Sequence, residues 1–133
     1  MKRTIPFEFF EKNQHMYFDI QRLAMLEKLT GQSVGAMQSG IGGAGAGLHF
    51  VLYACVVGLA HHNYKASLDD YAKKIDAFID AGGMFSEIEE EVGRAIVASG
   101  IYGKKAADII LGLKPETEAD GEAEDPNAKK PVE

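Results

Sequence analysis

The most regular feature of the chain is the spacing of apolar positions between Ser67 and Gly83. Leu68, Tyr71, Ala72, Ile75, Phe78 and Ile79 recur at intervals of one, three and four, which puts them on one stripe of a helix. Ser67 stands where an N-cap belongs, and Asp70 three residues on supplies a weak capping box. Gly82 and Gly83 end the pattern. The grammar then repeats: Ser86 and Glu89 form a box, Ile88, Val92, Ala95 and Ile96 form a stripe, and Gly100 closes it. Upstream, residues 18–29 carry Leu23, Leu26 and Leu29 at helical spacing with Phe18 and Met25 beside them, and Gly31 is the stop. A last short helix is predicted from Lys104 to Leu111.

Between these amphipathic segments lies a run of another kind. From Leu48 to about His61 nearly every position is apolar, which predicts a central helix. Leu48, Val51, Leu52, Cys55, Val56 and Leu59 are expected to face the core, and Phe50, Tyr53 and Val57 to lie on the other side. A helix apolar nearly all round is either central in its domain or meets a partner.

The residues before it read "QSGIGGAGAG", with Gly40, Gly42 and Gly45 spaced as in a dinucleotide fingerprint. That chemistry needs a strand leading in and a βαβ unit around it, and here a helix precedes. No Gly-Lys-Ser/Thr follows, and no Lys or Arg occurs between Lys28 and Lys65 to meet a phosphate. The structural reading is a flexible glycine loop feeding the apolar helix. Ile41 to Ala60 is also uncharged and holds a Gly43-x-x-x-Gly47 pair, as a membrane span can. Its strongly apolar part runs only from Leu48 to Ala60, more typical of a buried core helix.

The two ends differ from this body. "RTIPFEFF" alternates and is rich in β-formers, "EKNQ" is turn-like, and "HMYF" returns, so a short hairpin or an extended arm is expected, with Pro6 suited to an edge. The last twenty residues hold seven acids and three lysines and have Val132 as their one large apolar side chain. Such a segment cannot offset its ordering entropy and reads as disordered. The expectation is a mainly α chain: a helical domain over residues 1–113, of about five helices with a short N-terminal hairpin or arm, and a disordered acidic tail over 114–133.

Charge and composition narrow the function classes. A length of 133 residues, 46% hydrophobic, suits one modest core, and a net charge of −6 argues against nucleic acid as a partner. The lone Cys55 cannot form an internal disulfide and reads as a small core residue in a reducing compartment. "MKRTIPFEFF" lacks the apolar stretch of a signal peptide. His15, His49, His61 and His62 lack metal-ligand spacing, and the helix carboxylates read as a solvated face. No catalytic constellation, cofactor or metal site is expected.

The order of the pieces resembles the tail assembly chaperones of long-tailed bacteriophages. "FDIQRLAMLEKLTGQSVGAM" is similar to that family's Leu-Glu-x-x-x-Gly helix and following turn, through Leu26, Glu27 and Gly31. The apolar helix follows, and then "SLDDYAKKIDAFIDAGGMFSEIEEEVGRAIVASGIYGK", similar to paired helices joined at Gly-Gly. The likeness covers roughly residues 16–103, and the long glycine run departs from it. It implies a non-enzymatic protein of the host bacterial cytoplasm, absent from the mature virion. Such a protein binds the tape-measure protein, keeps it soluble, and helps the tail tube polymerise around it. A longer form made by programmed frameshifting would recruit the tube protein, and Lys129-Lys130 could be encoded by a slippery A-rich stretch. Met37, Phe50, Tyr53 and Val57 are the expected client-binding residues, with homo-oligomerisation through the same surface open. The alternative is a small helical dimerising adaptor or regulatory protein.

Overall fold

The computed structural model describes residues 3–34 and 47–112. Met37, the glycine run up to residue 46, and the acidic tail lie outside the described residues. Two strands, β1 (Thr4–Pro6) and β2 (His15–Tyr17), pair antiparallel as a hairpin with Ile5 opposite Met16. The described helices are α1 (Ile20–Thr30), α2 (Leu48–Gly58), α3 (Leu68–Asp80), α4 (Phe85–Ala98) and α5 (Lys104–Leu111). The fold is mainly α, and the hairpin form of the N-terminus is the one realised.

Local chemistry sets most of these boundaries. Asn13 adopts the left-handed region at φ 66°, and its N–H donates to the Glu8 carboxylate at 2.7 Å, turning the chain between the strands. α1 opens on Asp19, whose carboxylate accepts from the Arg22 N–H at 2.8 Å, and closes on Gly31 at φ 74°. α3 has the expected box: the Ser67 N–H donates to Asp70 at 2.8 Å and the Asp70 N–H to the Ser67 hydroxyl at 3.2 Å. α5 has the expected bounds.

The opening of α4 corrects the sequence reading. It starts at Phe85 with Met84 as N-cap, so only half of a box forms, the Met84 N–H donating to the Glu87 carboxylate at 3.3 Å. Ser86 is already inside the helix and exposed, and Glu89 is not its partner. Half-buried Phe85 packs against the core, which sets the start earlier than the serine does.

α2 sits at the centre, touching α1, α3, α4 and β2, while α4 carries β1 and α5. Its neighbours cover it on more than one side, which overturns the two-sided reading of this helix. Phe50 is 3% exposed and Val57 7% exposed, as buried as Val51 and Cys55 on the other side. Leu48, expected in the core, is 63% exposed. The second face is covered partly by the N-terminal arm, which buries Ile5, Phe7, Met16 and Phe18 in the same cluster. The approach is close. A Cβ on Gly58 would stand 2.7 Å from Met16 Cγ and 2.9 Å from Phe18 Cζ. Phe7 meets Phe9 and Phe10 edge-on, and Phe9 reaches Phe78 of α3 at 5.2 Å between ring centroids, so the arm spans the domain.

Candidate binding groove

α1 presents two stripes. Leu23 and Leu26 point into the core, at 2% and 0% exposure. Met25 and Leu29, placed with them in the sequence reading, lie on a second stripe rotated from the first and are 50% and 40% exposed. With Gln21 and Arg22 they form one wall of a groove of about 590 Å³. Val56, Val57 and Ala60 at the end of α2 supply its floor, and Tyr64 its far lip. Tyr64 is 79% exposed, the largest value among the exposed apolar side chains of the described residues.

The polar end of the groove is built around Arg22. Its guanidinium lies 5.0 Å from the Tyr17 ring centroid, donates to the Tyr17 carbonyl at 3.2 Å, and reaches the Gly58 carbonyl at 3.5 Å. A guanidinium only donates, so His61 Nδ1, 3.0 Å away, is the acceptor there. His62 Nε2 accepts from the His15 N–H at 2.9 Å, pinning the end of α2 to the hairpin. The Tyr17 hydroxyl donates to Asp19 at 3.2 Å, and its pKa is pushed up by partial burial, then by the Asp19 charge and that bond. These groups hold one another, and among the described residues the apolar wall beside them is left open.

Among the residues expected to bind a partner, the structure brings Val57 to the groove floor. Phe50 is in the core instead, and Tyr53 is half-buried with its ring 5.6 Å from that of His49. Met37 falls outside the described residues. Sequence reasoning missed Met25, Leu29 and Tyr64. Spacing did not separate the first two from the core stripe, because Leu29 follows Leu26 by three residues and so neighbours it on the helix.

A smaller cleft of about 400 Å³ lies where Ile5, Phe9, Glu91 and Arg94 meet. Its arginine pairs with Glu91 at 3.2 Å and donates to the Ile110 carbonyl at 3.3 Å, so it ties α4 to α5. Among the described residues no group of three or more His, Cys, Asp or Glu side chains could hold a metal ion. Burial pushes the Cys55 thiol up to about 12, which keeps it protonated. No described helix is long and apolar enough to cross a membrane. Comparison with known protein families, curated proteins and solved structures finds no match to this chain.

Proposed function

We propose that this chain is a non-enzymatic tail assembly chaperone of a long-tailed bacteriophage. It holds the tape-measure protein soluble until tail-tube subunits polymerise around it. The observation that carries this reading is the apolar groove between α1 and the end of α2, which is open among the described residues. Met25, Leu29 and Tyr64 line it with exposed apolar side chains, the kind of surface an amphipathic helical client requires. The net charge of −6 suits the second task of a holdase, keeping the complex from self-association.

Leu26, Glu27 and Gly31, matched in the first piece of the family resemblance, belong to α1 and its cap. Leu26 anchors α1 in the core, and Gly31 caps it. The Glu27 carboxylate accepts from the Val34 N–H at 2.6 Å, fixing the chain after the helix. On this reading the protein works in the host cytoplasm, leaves before the virion is complete, and reaches the tube protein through a longer frameshifted form.

The test is co-expression with the tape-measure protein from the same gene cluster, with and without the longer form. The client should turn soluble and co-purify with this chain. An insoluble, unbound client in both arms, beside a chain that is a discrete dimer, would replace this reading with the dimerising adaptor.

A further inference from the structure

The charges of this chain are divided between its helices. From Ile20 to Ser67, which includes α1 and α2, one acid, Glu27, stands against Arg22, Lys28 and Lys65. The eight acids Asp69, Asp70, Asp76, Asp80, Glu87, Glu89, Glu90 and Glu91 fall in α3 and α4. The lining of the groove holds one acid, Asp19, against one base, Arg22, and the rest of its residues come from this acid-poor stretch, apart from Tyr17.

The two acids nearest the groove are already engaged. Asp19 accepts from the Arg22 N–H at 2.8 Å and from the Tyr17 hydroxyl at 3.2 Å, and Glu27 accepts from the Val34 N–H at 2.6 Å. Two lysines border the apolar wall without belonging to it. Lys28 follows Met25 by three residues and so stands on the outer lip of α1, about 60° round from Met25. Lys65 lies on the opposite lip, its Nζ 5.7 Å from the Tyr64 ring centroid. Both are exposed.

We infer that the groove takes an amphipathic helix whose apolar stripe is bordered by Asp or Glu. The inference rests on the chaperone reading and names the class of client segment it requires. The stripe meets Met25, Leu29 and Val56, and the acidic borders meet Lys28 and Lys65. Exposed ion pairs are weak and screened by salt. Their effect is selection and faster encounter, because a lysine-bordered helix brings like charges to both lips.

The test uses the full chain and two helical peptides of about eighteen residues, long enough to cross the groove. They share one Leu/Ile stripe, bordered by Glu in one and by Lys in the other. Fluorescence anisotropy should show the Glu peptide binding about tenfold tighter at low salt, with the margin shrinking as salt rises. Lys28→Glu with Lys65→Glu should reverse the preference at unchanged helicity. Lys28→Gln with Lys65→Gln, which adds no new charge, should abolish it.

Equal binding of the two peptides, or a margin that survives the glutamine variant, overturns the inference and leaves the chaperone reading standing. Binding of neither peptide while the tape-measure protein is still solubilised also overturns it, placing the client elsewhere. Binding of neither, with a discrete dimer that Met25→Asp dissolves, gives the groove to a second copy and overturns both readings.

Discussion

Ser67 and Asp70 close the start of α3 through two reciprocal hydrogen bonds, and both effects are measurable. Ser67→Ala leaves the Asp70 N–H without its side-chain partner and should lower stability by about 1 kcal/mol in denaturant titration. The Asp70 carboxyl is held below its usual range, first by the Ser67 N–H and then by the Ser67 side chain. A lowered folded-state pKa stabilises above the unfolded value of 3.8 and is lost as pH falls through the folded one. Asp70→Asn should therefore be less stable than the parent near neutral pH, and the difference should fade in strongly acid solution. Cys55 gives a third residue-scale prediction. With its thiol pushed up to about 12 and no exposed surface, it should react with a thiol reagent only at the rate of opening. Labelling at the rate of an exposed cysteine in native buffer would contradict that packing.

At the scale of elements, the hairpin lies close against the end of α2. Gly58 permits it, since any Cβ there meets Met16 and Phe18. Gly58→Ala gains helix propensity of up to about 1 kcal/mol but overpacks by about 1–3. A net loss of about 1 kcal/mol is expected in thermal or chemical unfolding, and a gain would mean the arm can shift. This contact also explains what the sequence made legible. α3 was readable because its apolar stripe, the Ser67–Asp70 box and the glycines after it agree, while α5 has the expected bounds with no side-chain cap at its start. α2 was readable as a helix, but not in its orientation. Its apolar residues surround it, so no stripe distinguishes the face under the other helices from the face under the arm. The arm itself offers strands of three residues, too short for alternation to announce that Phe7 and Phe18 are core. The groove was half legible. Met25 and Leu29 are apolar in an amphipathic helix, and only the positions of α2 and Tyr64 show that they remain outside the core.

The whole molecule combines a closed core, an apolar trough with Lys28 and Lys65 at its borders, and eight acids on α3 and α4. That division allows binding and stability to be separated by mutation. Met25→Asp with Leu29→Asp changes side chains already half in water, so unfolding should move by no more than about 0.5 kcal/mol per site. Recovery of the tape-measure protein in the soluble fraction should fall severalfold. Loss of stability without loss of recovery would show that these side chains serve packing rather than binding. The core also has a long reach along the chain: the Arg3 guanidinium donates to the Ser99 carbonyl at 3.1 Å, across 96 residues. During synthesis at about 5–20 residues per second, roughly 5–20 seconds separate the appearance of these partners. For much of that interval the Phe7, Phe9 and Phe10 cluster has been made while its ring partners in α3, Tyr71 and Phe78, and then α4, have not. A protein proposed to shelter another chain's apolar segments thus begins each of its own lives with a comparable segment bare, and its yield in the cell should depend on how quickly α4 follows the arm off the ribosome.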